Sequence, residues 1–297
     1  SGEVQVTSHE DLDASHRYSE PGTYTVRISG KMEAIAFDDS GDKDKLLTIA
    51  NLGSVGWASF RKAFKGCGQL TAVYGGDTSS VTDMSHMFED AVLVQPHTAE
   101  WDTAQVTDMA QMFMNADLAE PETGAWNTSQ VVSMDEMFYG AGQAQPQTRG
   151  WDLRNVESME AMFKDTTRAD PDTRYWQVSQ VTNMDAMFEN AQSVNPDVSL
   201  WDTARVNSMT GLFKGARKAT PDTRQWNTFE VLSMRDMFAD AVLAQPDTTQ
   251  WNVSRVRDMA AMFSGAMAAM PNTALWNVSR VTDMSNMFAD AVSVNPD

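Results

Sequence analysis

The stretch Trp101-Asp-Thr-Ala-Gln-Val106-Thr-Asp-Met109-Ala-Gln-Met112-Phe113-Met-Asn-Ala116-Asp-Leu-Ala-Glu-Pro121-Glu-Thr-Gly-Ala125 stops one residue short of another tryptophan, where its layout begins again. Trp126, Trp151, Trp176, Trp201, Trp226, Trp251 and Trp276 follow at 25-residue steps, without insertion or deletion. Val stands five residues after each Trp (Val106 to Val281), and Met stands eight after it (Met109 to Met284). Met-Phe occupies the eleventh and twelfth places, from Met112-Phe113 to Met287-Phe288, with Leu212 the one exception to Met. Ala fills the fifteenth place except at Thr166, and Pro fills the twentieth, from Pro121 to Pro296. Upstream, Val81 to Pro96 keeps the same layout. A fixed period of this length is the signature of a solenoid, in which a unit too small to bury its own apolar face stacks on the next.

Met at i, Met-Phe at i+3 and i+4, and Ala at i+7 predict one apolar helical face. Asp83, Asp108 and Ser133, just before the first Met, supply an N-cap signal. Before the Ala column stand Asp90, Asn115, Gly140, Asp165, Asn190, Gly215, Asp240, Gly265 and Asp290. These types tolerate the left-handed conformation that ends many helices. Each repeat is therefore expected to hold a helix of about two to three turns. An extended segment such as Ala244-Gln-Pro-Asp-Thr248 follows, its strands stacking at roughly 4.8 Å. The fold class predicted is an α/β repeat solenoid, with the Trp, Met and Phe columns as its core.

The formal net charge of −19 argues against a nucleic-acid partner, which needs a basic footprint. It suits salty or calcium-containing surroundings, or a basic partner. Cys67 is the one cysteine, so no disulfide can form within the chain. No apolar run approaches the ~18–20 residues that span a bilayer, so no membrane insertion is expected of this stretch. The chain opens Ser1-Gly2 and closes at Val294-Asn-Pro-Asp297 inside a repeat, which reads as a fragment truncated in its last repeat. A truncated solenoid end exposes apolar surface and sets up an end-to-end homodimer.

The unit Ala191-Gln-Ser-Val-Asn-Pro-Asp-Val-Ser-Leu-Trp-Asp-Thr-Ala-Arg-Val206, running on to Met209 and Phe213, resembles the repeat of bacterial and mycoplasma surface lipoproteins in the BspA-type leucine-rich-repeat group. Ala58 to Val73 is similar to the standard unit of that group, with Phe64, Gly66 and Cys67 where Phe88, Asp90 and Ala91 stand next. Cys67 is on this reading a small buried residue. Thr23-Tyr-Thr-Val-Arg-Ile-Ser-Gly30 alternates as a strand should and leads through Asp38 to Lys45 into Leu46-Leu-Thr-Ile49. That region resembles the amino-terminal cap of the group. The expected organisation is a β-rich cap over 1–56 and a solenoid of about nine to ten repeats over 57–297. The resemblance implies a leucine-rich-repeat-like, right-handed superhelix on a bacterial surface, with adhesion or ligand recognition as its role and no catalytic residues. Relatives carry Phe and then Ile or Leu in the extended segment, whereas Thr98, Thr123, Thr148, Thr173, Thr223, Thr248 and Thr273 stand here, with Val198 the exception. The Ile of the relatives implies that these Thr side chains point inward rather than forming an exposed ice-binding ladder.

Two surface columns are candidate sites. After Pro come Glu122, Asp172, Asp197, Asp222 and Asp247, with His97, Gln147 and Asn272 in the other repeats. Stacked carboxylates repel, and a calcium ion held by Asp172, Asp197, Asp222 and Asp247 would relieve this. The plainer reading is a solvated acidic ridge needing no cofactor. Two residues on stand Arg149, Arg174 and Arg224, and the same repeats carry Lys164, Arg168, Lys214, Arg217 and Lys218. Arg clusters recognise anionic groups, and ion pairs to the neighbouring acids are the bland alternative. His9, His16, His86 and His97 have no metal-ligand spacing, and neither a nucleophile elbow nor a phosphate-binding Gly-rich loop occurs. The function expected is therefore a non-enzymatic binding module of a larger extracellular protein, holding a glycan or protein of a host or neighbouring cell. The rivals are a structural spacer and a calcium-stabilised matrix or stalk domain.

Overall fold

The computed structural model describes residues 18–293; His9, His16 and Pro296, singled out above, lie outside them. The chain divides into two compact units, residues 1–30 and 31–297. In the first, Tyr18 stacks on Tyr24 with ring centroids 3.8 Å apart, and the Tyr24 hydroxyl donates to the Glu20 carbonyl (2.6 Å). The strand expected at Thr23–Gly30 is not found. Its alternation leaves Tyr24, Val26 and Ile28 exposed and without a ladder partner among the described residues. Alternation alone gives an extended chain, and only pairing makes it a strand.

The second unit is a stack of turns. Parallel bridges link Ala34 to Ser59, Ser59 to Asp83, Asp83 to Asp108, and so on to Asp258 with Asp283. From Asp83 onward each bridge residue stands just before the first Met of a repeat, and Ala34 and Ser59 stand likewise before Ile35 and Phe60. The residues expected to be N-caps, such as Asp108, are thus bridge positions. The Asp108 carboxylate still accepts from a backbone N–H two residues on, that of Ala110 (2.9 Å), as in an Asx turn.

No α-helix occurs among the described residues, which corrects the helix predicted in every repeat. From Met109 to Ala119 the chain is instead a ribbon of consecutive turns. Met112, Met114, Ala116 and Ala119 donate to the carbonyls three residues back, those of Met109, Gln111, Phe113 and Ala116 (3.0–3.3 Å). The intervening N–H groups of Met109, Gln111, Phe113 and Asn115 donate to Ser133, Asp135, Met137 and Tyr139 of the following turn (2.7–3.2 Å). The carbonyls of Ala110, Met112 and Met114 accept from the preceding turn. With the Ala110 N–H bonded to the Asp108 carboxylate, every backbone group from Met109 to Met114 is thereby paired, as a buried backbone requires. Phe rings of successive turns stack with centroids about 5.5 Å apart, from Phe88–Phe113 to Phe238–Phe263. Helices packed side by side need about 8–10 Å, so a stack this tight has no room for them.

Left-handed φ occurs where it is expected, from Asp90 (59°) through Gly140 (67°) to Asp290 (60°), as a turn feature rather than a helix terminus. A second left-handed column, four residues earlier, carries no compositional signal: Lys62, His86, Gln111, Glu136, Ala161, Ala186, Gly211, Asp236, Ala261 and Asn286. Ala186 is held there (φ 54°) by its N–H bond to the Thr210 carbonyl (2.7 Å). The left-handed conformation costs a non-glycine residue about 1–2 kcal/mol, against about 0.5–1 kcal/mol for the extra backbone freedom of glycine. Ala186→Gly should therefore stabilise the chain by roughly 0.5–1 kcal/mol. Urea denaturation checks this, and a destabilised variant would contradict it.

The backbone strand ladder is short. β1 (Thr48–Ile49), β2 (Ala72–Val73) and β3 (Gln95–Pro96) pair in parallel, and no strand follows them among the described residues. The Trp column begins at Trp101, just past β3. Its indoles stack 6.2–6.5 Å apart from Trp151 to Trp276, wider than the ~4.8 Å a backbone ladder needs. Threonine hydroxyls span the gap: Thr98 donates to the Glu122 carbonyl (3.0 Å), Thr148 to Asp172, Thr173 to Asp197 and Thr223 to Asp247 (2.8–3.0 Å). The Thr column points inward, as the resemblance implied, and is buried at Thr98, Thr123, Thr148, Thr173, Thr223 and Thr248. The indole N–H of Trp126, Trp151, Trp176 and Trp201 reaches a Thr carbonyl in the preceding turn (3.3–3.4 Å).

The Trp, Met and Phe columns fill the interior, as predicted, and the Val and Ala columns join them there. Leu212 replaces Met without exposure, and Thr166 replaces Ala by returning its hydroxyl to the Phe163 carbonyl (2.7 Å). Cys67 is buried in the Ala column, and burial pushes its thiol up to about 11, away from the reactive thiolate.

Candidate functional site

With the interior filled by side chains, the polar and charged groups open to solvent lie in the outer columns. At the corner after Pro, one carboxylate oxygen of each aspartate is committed to its own turn. Asp197 accepts from the Ser199 N–H (3.2 Å), Asp222 from Arg224 (3.2 Å) and Asp247 from Thr249 (3.0 Å), while Asp172 is approached by the Arg174 N–H at 3.4 Å. These are Asx turns, which explains why Asp and Asn recur there. Glu122 and Gln147, longer by one methylene, reach back to the N–H groups of Thr98 and Thr123 instead (3.1 and 3.0 Å). Among the described residues, no three His, Cys, Asp or Glu side chains converge as metal ligands do.

The basic island divides into separate columns. At the corner, Arg224 forks onto Asp222 (Nε to Oδ1 2.9 Å, Nη2 to Oδ2 2.5 Å), Arg174 bonds Asp197 (3.2 Å), and Arg149 lies over the Tyr175 ring at 5.8 Å. On the turn ribbon, Lys164 and Lys214 share Glu189 (3.1 and 3.9 Å), and Lys214 also meets Asp236 (3.5 Å). Beyond the ribbon, Arg168 spans two turns to Glu120 (3.2 Å) and touches Gln143 (3.2 Å). Arg217 and Lys218 are exposed, with no ion pair among the described residues. Ion pairing, the blander reading, thus accounts for most of the island.

One shallow depression of about 420 Å³ joins the two columns, lined by Thr220, Pro221, Asp222, Arg224, Leu243, Gln245 and Asp247. It is an open surface groove, not an enclosed cavity. Asp222, Arg224 and Asp247 were legible as members of repeating columns. Leu243, Gln245 and Thr220 were not, because their columns change chemistry from turn to turn. Exposed Leu243 offers an apolar surface beside carboxylate and amide acceptors. That pairing suits a ligand with hydroxyl donors around an apolar ring face.

The Arg224 guanidinium holds the Asp222 carboxyl below its usual 3.8. Hydrogen bonds from the Ser199 and Thr249 hydroxyls do the same for Asp197 and Asp247. A carboxyl with a depressed folded-state pKa adds stability above its unfolded value, and that stability is lost as pH falls through the folded value. Arg224→Gln should therefore melt slightly below the parent at pH 6, the difference shrinking as pH falls below 3.8 and vanishing once it has passed the lowered folded-state value. A difference that persisted at pH 2 would mean the pair does not exist in solution.

A crystal structure of a leucine-rich repeat protein from Bacteroides ovatus is similar over 84% of this chain and 79% of that one, at 10% identity and a TM-score of 0.26. No curated protein matches the chain. The family described as "Mycoplasma protein of unknown function, DUF285" matches residues 58–176, 158–272 and 244–297. Those stretches overlap into one continuous match from 58 to 297, so the chain belongs to that family.

Proposed function

We propose that this chain is the ligand-binding, adhesive part of a larger bacterial surface protein of the BspA-type leucine-rich-repeat kind, and that it holds a glycan or protein of another cell without catalysing a reaction. The right-handed coil and the extracellular location belong to the same reading. The observation that carries it is the depression at Thr220–Asp247. There the interior columns continue unchanged, while the outer columns place an exposed Leu243 against Gln245, Asp222 and Asp247. A glycan fits this lining better than a basic peptide, since Arg224 already neutralises Asp222.

A glycan-array screen of the labelled protein, with calcium and again with chelator, tests the reading. Specific hits lost by the Leu243→Ser/Gln245→Ala double variant are the expected result. Hits lost instead by Arg168→Ala/Arg174→Ala/Lys218→Ala would move the site to the basic columns. Hits that survive only with calcium would restore the Asp172–Asp247 ridge as a metal site. The extensive pairing of the island favours a second reading, a passive spacer, and a blank array together with no captured protein ligand would select it.

A further inference from the structure

A second depression, of about 470 Å³, is lined by Phe229, Ser254, Arg255, Asn277, Ser279 and Arg280. Its cations were not singled out by the repeat pattern, because their column starts neutral. Four residues after each Trp stand Gln105, Gln130, Asn155 and Gln180, and then Arg205, Glu230, Arg255 and Arg280. Arg255 pairs with Glu230 of the preceding turn, and its guanidinium lies over the Phe229 ring at 5.6 Å. Arg280 is exposed and has no ion pair or hydrogen bond among the described residues. Of two guanidiniums on neighbouring turns, only that of Arg255 thus has a carboxylate partner. Like charges in register on adjacent turns are mutually destabilising, and an anion between them removes that cost.

The rest of the lining is not what a simple anion needs. Phe229 is 45% exposed, a large apolar ring left in water. Asn277 Oδ1 accepts from the Ser279 N–H (3.2 Å), which leaves the Asn277 amide N–H groups for a ligand. The Ser254 and Ser279 hydroxyls can each donate or accept. An aromatic face, paired hydroxyls, an amide donor and an unpaired guanidinium together match a sugar ring bearing one acidic group. The net charge of −19 disfavours a long polyanion, which the remaining surface would repel.

We propose that this depression binds an acidic saccharide, with Arg280 and Arg255 taking its carboxylate or sulfate, Phe229 its apolar ring face, and Ser254, Asn277 and Ser279 its hydroxyls. The assignment rests on the binding-module reading and names a second site and ligand class for it. Calorimetric titration of the intact chain with sialyllactose, with sulfated lactose and with plain lactose tests it. At least one acidic sugar should bind about tenfold or more tightly than lactose, as a charge-assisted contact implies. The stronger of the two identifies the acid. Arg280→Gln should abolish that preference, and Phe229→Ala should weaken all binding while keeping it. Arg154→Gln, which removes the same charge from an ion pair with Asp152, should change neither. A preference that survives Arg280→Gln, or equal binding of lactose and the acidic sugars, overturns the assignment. If all three sugars fail while the array gives hits elsewhere, this site falls and the binding module stands. If the array and capture experiments are also blank, both fall.

Discussion

Phe188→Ala is expected to lower the unfolding free energy by about 3–5 kcal/mol and to split a single denaturation transition into two. Phe188 is fully buried between the rings of Phe163 (5.9 Å) and Phe213 (5.5 Å). Its removal therefore takes the lost transfer energy and a cavity from two turn-to-turn interfaces at once. In a stack where each turn touches only its neighbours, stability is the sum of turn and interface terms. A weak interface in the middle uncouples the halves, whereas weakening at one end merely frays it. Phe288, half-buried near the last described turn and stacked on one ring, is the internal control. Phe288→Ala should cost less and leave one transition. Urea titrations followed by tryptophan fluorescence report both quantities. One transition with a loss below about 1 kcal/mol for Phe188→Ala would show that the phenylalanine column is not the spine of the core.

The repeat and its core were legible because burial is written in side-chain type: Trp101, Met109, Phe113 and their counterparts have nowhere to go but inward. The helix was misread for a physical reason. Met109, Met112, Phe113 and Ala116 occupy i, i+3, i+4 and i+7 in a helix, and the ribbon of turns faces the same four residues inward. What decides between them is the distance between turns, and no single repeat contains that distance. Stacked phenylalanines set it near 5.5 Å and so exclude a helix beside a helix. The strand ladder was over-extended for a related reason. Beside the Trp column, where indoles stack 6.2–6.5 Å apart, threonine hydroxyls take over the pairing. Backbone pairing continues only on the other side of each turn, at Asp108 and its counterparts. Of the first depression, Asp222, Arg224 and Asp247 were readable because Asp and Arg recur in their columns, while Leu243 and Gln245 stand in columns that vary from turn to turn. Periodicity exposes what every turn needs, so it is silent about what one turn does alone.

Gly215→Val should cost about 2–4 kcal/mol, nearly as much as emptying part of the core, although residue 215 is only half-buried. Gly215 sits at φ 66°, where a β-branched residue is a steric outlier. Its conformation is fixed by the N–H bond to the Ala239 carbonyl (2.7 Å), so it cannot relax without breaking the ladder. A Cβ there would also lie 2.3 Å from Asn190 Oδ1. The Asn190 side chain can swing clear only by giving up its bond to Asp165 (2.9 Å). Asn190→Gly keeps the left-handed residue and deletes the obstruction, so the two costs separate in a double-mutant cycle. In that background Gly215→Val should still cost the conformational part, about 1–3 kcal/mol, and no longer the steric part. Full rescue by Asn190→Gly would mean that the left-handed conformation at 215 is not enforced. The ladder of turns would then be looser than its hydrogen bonds imply, and the same slack would extend to Asn190, Asp240 and every other residue of that column.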